Sequence, residues 1–448
     1  MSTHVIAGRS WPAVLVLAIT PMLAAALLSG CGATNTDPCA IVLRGDAVGS
    51  GDEAIARIRE QARQAMEARP AGSVPGAAPA PPAALPYLER LGWMQIAREA
   101  VDHDHAHFER ALQTAACMER QAPDAPEARL LRAHALVSMH RFKEGEEVVR
   151  ALVTASPSWM ASGVLGDALI EQGRLEEAAV QYQAMADANP GSQAWSRAAH
   201  LRWLLGDRAG AIEAMSRAAA AGDGRDPRAW AWYRGRLAYY ALEAGRLDDA
   251  RRLSDAALAL APRHPQALHA RGLVLLSEGR SAEAVEALRA AVAADPLPEY
   301  LWALAEALAA SGQKAEAQKV EARLTSDGEH EDPRAVALFF ASRGIETRRA
   351  VALARAELKV RQDPVTLDVL AMALASDGRV AEALATSRRA RASGTHAPRL
   401  ALHGAVIAAA AGESAEAAAL VEEARAMSAA LLPSERHLLE NLRHPEGA

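Results

Sequence analysis

Two stretches of the chain carry the same succession of apolar, polar and turn positions. Gly163 to Pro190 reads GVLGDALIEQGRLEEAAVQYQAMADANP, and His269 to Pro296 reads HARGLVLLSEGRSAEAVEALRAAVAADP. Each runs from a small residue through an apolar helical segment to a Gly-Arg turn, then through an acid- and alanine-rich helix to a closing proline. The turn glycines recur at Gly173, Gly206, Gly245, Gly279, Gly312, Gly344, Gly378 and Gly412, at intervals of 32 to 34 residues with one of 39. His140 holds the equivalent place one period earlier. A fixed period of this length marks a repeat architecture.

The unit has a plain physical logic. Its two helices of about a dozen residues are too short to be stable alone and need neighbours. Glycine in the turn takes a positive φ and ends the first helix. Alanine five residues later (Ala178, Ala211, Ala250, Ala284, Ala317, Ala383, Ala417) and a small residue seven before it (Gly166, Ala199, Ala238, Gly272, Ala305, Ala371, Ala405) let the helices approach closely. Pro157, Pro190, Pro262 and Pro296 stop the second helix. The 39-residue interval reflects an added loop, Gly222 to Pro227, and Ala350 stands one place late after Gly344, which predicts a longer turn there. Ser434 to Leu442, after Pro433, reads as a capping helix over the last repeat.

Composition fits this picture. Half of the 448 residues are hydrophobic but only 4% are aromatic, so the core is built of alanine and leucine, good helix formers, with few β-branched residues. A net charge of −6, with both signs interspersed, gives no reason to expect nucleic-acid binding. The chain holds no glycine-rich phosphate loop, Gly-x-Ser-x-Gly elbow, His-Glu-x-x-His or Cys-x-x-Cys. The expectation is a protein that is not an enzyme, with no cofactor and no small-molecule substrate.

The repeat resembles the tetratricopeptide repeat (TPR) family, whose 34-residue helix-turn-helix carries small-residue, glycine, alanine and proline signposts at these offsets. The resemblance covers Ala128 to about Ala424, with a degenerate unit before it from Tyr87 to Pro123. It implies an all-α fold, a right-handed α-solenoid of about nine to ten helix-turn-helix repeats, and a concave groove lined by the first helix of each. Carried onto this chain, the groove positions are Gly163, Asp167, His200, Trp203, Trp232, Tyr239, His269, Trp302 and Glu306, with His134 from the earlier unit. Tryptophans in a ring-poor chain are candidate anchors. A groove of acids, imidazoles and indoles suits a protein or peptide partner; glycan or peptidoglycan stacking on the aromatics is the alternative.

The amino terminus implies where this happens. Arg9 precedes an apolar run from Pro12 to Leu28, followed by Leu-Ser-Gly-Cys ending at Cys31. This is the layout of a secretory signal over residues 1–30. Leu-Ser-Gly-Cys resembles the bacterial lipoprotein lipobox, which implies lipidation of Cys31 and a membrane anchor in the cell envelope. Gly32 after the cysteine implies the outer membrane, facing the periplasm. Residues 31–84 read as a tether: a short helix from Asp52 to Ala68, then a Pro- and Ala-rich stretch. Residues 85–127 form the degenerate first repeat, 128–430 the solenoid, and 431–448 the cap and tail. Cys39 and Cys117 are either a disulfide in an oxidising compartment or two free thiols.

One cluster invites a metal. VDHDHAHFER, residues 101 to 110, holds His103 and His107 one helical turn apart, a two-ligand spacing. It falls between two helices, where Asp102 or Asp104 serves as an N-cap for the second. No distant pair completes a four-ligand site, so a polar turn is the expectation.

Overall fold

Every glycine of the turn series ends a helix in the left-handed conformation, with φ between 62° and 86°, and His140 joins them at 59°. The computed structural model describes residues 37–44, 53–68, 82–102, 104–221 and 226–442. The signal region, Cys31, His103 and most of the inserted loop lie outside the described residues. Within them the structure is an all-α solenoid without strands. Helices α1 (Pro38–Arg44) and α2 (Glu53–Glu67) precede ten hairpins. The first two are α3/α4 (Leu85–Asp102, Ala106–Gln121) and α5/α6 (Pro126–Ser138, Phe142–Ala155). Next come α7/α8 (Trp159–Glu171, Leu175–Ala188), α9/α10 (Ser192–Leu204, Arg208–Ala220) and α11/α12 (Pro227–Glu243, Leu247–Leu260). The series continues with α13/α14 (Pro265–Ser277, Ser281–Ala294), α15/α16 (Pro298–Ala310, Lys314–Glu331) and α17/α18 (Pro333–Arg343, Thr347–Val360). It closes with α19/α20 (Pro364–Ser376, Val380–Arg391), α21/α22 (Pro398–Ala410, Ser414–Ala426) and the cap α23 (Pro433–Asn441).

The small-residue positions pack as the pattern requires. Ala178, Ala250, Ala284 and Ala383 are fully buried. A Cβ on Gly272 would meet Leu288 at 2.4 Å, so only glycine allows that approach. The turn after Gly344 is not longer than its neighbours: it also spans three residues, 344–346, and absorbs the shifted register by placing Glu346 at a positive φ of 46°.

The segment expected as a tether is partly docked. Cys39 and Val42 of α1 and Ile58 and Ala62 of α2 are buried against α3 and α4. Cys39 and Cys117 form a disulfide, so α1 is tied to α4. These two amphipathic helices cover the outer face of the first hairpin, which has no preceding repeat.

The solenoid also winds back onto itself, so that the turn of one hairpin meets the loop between hairpins five or six repeats later. The Gln362 amide donates to the Glu171 carbonyl (2.7 Å) at the end of α7. The Thr395 hydroxyl donates to the Leu204 carbonyl (2.5 Å) at the end of α9, and Arg436 donates to the Leu276 carbonyl (2.9 Å) at the end of α13. The expected concave groove is therefore a lumen closed by the next superhelical turn. Summed small rotations between repeats decide this, and no single repeat encodes it.

The histidine-rich turn belongs to the same seam. It lies between α3 and α4; neither aspartate is the N-cap expected, because His105 holds that position with no side-chain cap bond, and Asp104 instead accepts from the amide of the first helical residue, Ala106 (3.0 Å), in a local turn. His105 Nε2 lies 3.2 Å from Glu331 at the end of α16. His107 is engaged within the turn, its Nε2 3.1 Å from Asp102 and its Nδ1 3.0 Å from Arg110. Among the described residues no group of three or more His, Cys, Asp or Glu is arranged to hold a metal ion.

Candidate functional site

The inner face of the solenoid is lined by the first helices of the hairpins, because their small residues pack on their partners and their remaining side chains face the axis. Two cavities lie along it. The mouth, about 850 Å³, is walled by α3, α7, α9, α11 and the starts of α13 and α15. The chamber, about 230 Å³, lies among α9, α11, α13, α15, α17, α19 and α21, with Ala430 and Leu432 closing it. Arg236 lines both.

The groove candidates divide between these spaces. Asp167, His200 and Trp232 line the mouth. Trp203, Tyr239, His269 and Trp302 line the chamber. His134 packs edge-on against Trp93, ring centres 5.2 Å apart, outside both. Gly163 is buried beneath Met185 and Arg197. Glu306 faces inward but accepts from the Ser434 amide (3.0 Å) and hydroxyl (2.7 Å) and from Arg343 (3.0 Å). It seats the capping helix, an assignment invisible without the winding.

Several of these groups are structural as well. Asp167 holds three elements together, accepting from Tyr182 (2.8 Å) on α8 and from both Nε and Nη2 of Arg197 (2.8 Å each) on α9. A bidentate guanidinium–carboxylate pair fixes geometry tightly. His200 stacks on Trp203 at 6.0 Å, and its buried Nδ1 has no hydrogen-bond partner among the described residues. Burial holds His200 and His134 neutral, pushing each down to about 4. Trp232 alone of the candidate rings is exposed, at 39%.

The chamber contains polar residues that offsets from the turn glycine did not select. Glu243, 1% exposed, accepts from the Trp203 indole N–H (2.5 Å) through Oε2. Burial pushes its carboxyl up to about 7. Arg236 sits over Tyr239 and Tyr240, 5.5 and 5.2 Å from their centres. Arg399, over Trp302 at 5.0 Å, donates to Glu435 (2.6 Å). Arg236 falls within AWAWYRGRLAYY, the aromatic concentration of the sequence; Glu243 and Arg399 carried no signal.

Hairpins of this length, turn glycines in the left-handed conformation and a lumen lined by first helices define a repeat scaffold of the protein-binding kind. The tetratricopeptide-repeat family model matches residues 130–193, 236–297 and 269–328. The chain is a tetratricopeptide-repeat protein. Among solved structures it is similar to human IFIT1 in a dimer with PPP-AAAA, at 14% identity and TM-score 0.44, over 77% of this chain and 86% of that one. It is also similar to a tetratricopeptide repeat protein from Parabacteroides merdae, at 12% identity and TM-score 0.37, over 65% and 98%. No curated protein matches.

Proposed function

We propose that this protein is a non-catalytic scaffold of the bacterial envelope, anchored through a lipid on Cys31, that takes an apolar segment of a protein partner into the mouth of its lumen. The observation that carries the reading is a convergence of exposed apolar side chains. Val101 (49% exposed), Trp232 (39%) and Leu297 (36%) come from α3, α11 and the loop before α15, yet line one cavity. Exposed large apolar groups gathered in one concavity mark a binding site, whereas scattered ones do not. Acids and arginines of both signs ring them, which suits a peptide with an apolar anchor between charged residues. The signal layout and Leu-Ser-Gly-Cys support the anchor.

A photo-crosslinking amino acid in place of Trp232, in intact cells, is expected to capture one envelope protein, with capture lost when Val101 and Leu297 are also changed to Ser. Capture of cell-wall glycan instead, or retention on insoluble peptidoglycan that depends on Trp232, refutes the protein-partner reading in favour of glycan binding. Equal membrane fractionation of wild type and Cys31→Ser refutes the anchor.

A further inference from the structure

The Cys39–Cys117 bridge shortens the path between a lipid on Cys31 and the folded chain. Only residues 32–38 separate Cys31 from Cys39. Cys39 is buried in α1 and bonded to Cys117 of α4, and Asp37 at the foot of α1 pairs with Arg120 (2.7 Å). Eight Cα steps reach at most about 29 Å. A tether free as far as Ala84 would reach about 190 Å by the same arithmetic.

This leash leaves the solenoid at a defined edge. Cys117 and Gln121, whose Nε2 lies 4.0 Å from Cys39 Sγ, belong to the C-terminal end of α4, beside the loop to α5. In a row of hairpins the internal turns lie along one edge and the connecting loops along the other. The turn edge meets the second superhelical turn, at the ends of α7, α9 and α13. The loop edge therefore faces outward along the axis, and the leash starts on it. The mouth opens on the same edge: Arg228 and Trp232 stand near the start of α11, His264 and Gln266 at the start of α13, and Leu297 before α15. The chamber extends the other way, to the starts of α17, α19 and α21. His105 reaches Glu331 at the end of α16, so the first hairpin lies one superhelical turn further out. Its α4 end thus projects past the rim by about 20 Å, one helix length.

We propose that the docked and bridged α1 holds the mouth toward the bilayer that carries the lipid, and that the segment taken there belongs to a protein of the same membrane, presented within about 50 Å of its surface. This rests on the anchor at Cys31 and on the mouth as the partner site. The gap below the α4 end is at most about 29 Å. A folded domain of about 100 residues is wider, roughly 34 Å across for a radius of gyration near 13 Å. A segment rising from the bilayer fits beneath that edge, whereas a folded soluble partner is hindered.

The full lipidated chain, purified from membranes, is added to preformed vesicles of phosphatidylethanolamine and phosphatidylglycerol with an acceptor dye on the headgroups. An azide-bearing amino acid takes a donor dye in place of exposed Ala221, on the mouth edge after α10, or of exposed Ala415, beside the turn of the last hairpin at the opposite end. Energy transfer from Ala221 is expected to exceed that from Ala415, because two helix lengths, roughly 40 Å, separate the edges. A Gly/Ser spacer of about 20 residues inserted after Thr34 lengthens only the leash and is expected to erase that difference. In cells, the protein crosslinked from the Trp232 position is expected to stay with the membrane through alkaline washing. Equal transfer from the two positions, greater transfer from Ala415, a difference that survives the spacer, or a crosslinked protein removed by the wash each overturns the proposal. Failure of the anchor shows separately, as equal fractionation of wild type and Cys31→Ser, and failure of the mouth as the partner site shows as no crosslink from Trp232.

Discussion

Replacing Gly206 by alanine places a Cβ 2.1 Å from the Gly394 carbonyl oxygen, across the seam where α9 ends against the loop before α21. The same change at Gly279 meets nothing within 4 Å. Both glycines hold nearly the same backbone, with φ of 78° and 74°, so the left-handed penalty is common to the pair. That shared term is about 1 kcal/mol. At Gly206 the backbone of residue 394 must also retreat, to bring the contact from 2.1 Å to the 3.4 Å or more of ordinary packing. The retreat pulls on Thr395, which is buried and donates to the Leu204 carbonyl. Losing that bond leaves the buried Leu204 carbonyl unpaired, although Thr395 keeps the Ser393 hydroxyl at 2.9 Å, a further cost of about 1–3 kcal/mol. Gly279→Ala is thus expected to destabilise by about 1 kcal/mol and Gly206→Ala by about 2–4 kcal/mol. Urea denaturation followed by circular dichroism measures both, and small-angle scattering is expected to show a larger radius for Gly206→Ala alone. Equal losses in the two variants, with unchanged radii, would refute a solenoid that closes on itself.

Glu346→Gly is expected to raise stability by about 0.5–1 kcal/mol, because an exposed glutamate at φ 46° pays a penalty that glycine does not; a urea midpoint at or below that of wild type contradicts it. Stability is expected to fall as pH drops from 6.5 towards 4, by at most about 1.4 kcal/mol per pH unit for each buried histidine. His134 and His200 stay neutral in the fold to about 4 but bind protons at their ordinary 6.5 when unfolded. Glu243 acts the opposite way: its raised value favours the fold below 4.5 and that contribution is lost as pH rises through about 7. Two histidines outweigh one carboxyl, and Glu243→Gln is expected to steepen the acid loss; denaturation midpoints at pH 5 and 7 decide it. Reducing the Cys39–Cys117 bridge, which closes a separation of 78 residues, is expected to cost the amino-terminal unit about 4 kcal/mol. In a repeat array such a loss stays local, so reductant should create an early unfolding phase and leave the main transition in place.

The repeat itself was legible because its determinants are local. A glycine at every turn, a small residue on each side of it and a proline after the second helix specify one hairpin from within its own 34 or so residues, and the hairpin repeats. Even the exception at His140 was legible by register, although a non-glycine residue there accepts the strain. The inward-facing residues were partly legible for the same reason: Trp203, Tyr239, His269 and Trp302 share a helical face and so share the chamber. What the face meets was not. Glu306 lies on that face, yet Ser434 of the cap, 128 residues away, occupies it. Arg399 and Glu243 join the chamber from different hairpins, and His105 reaches Glu331 across a separation of 226 residues. Those contacts arise from the rotation between successive hairpins, which side-chain shape sets in small increments and which accumulates over five or six repeats. One sequence period therefore determined the hairpin and its inner face, and only the summed winding decided that the inner face encloses a lumen with two cavities along it.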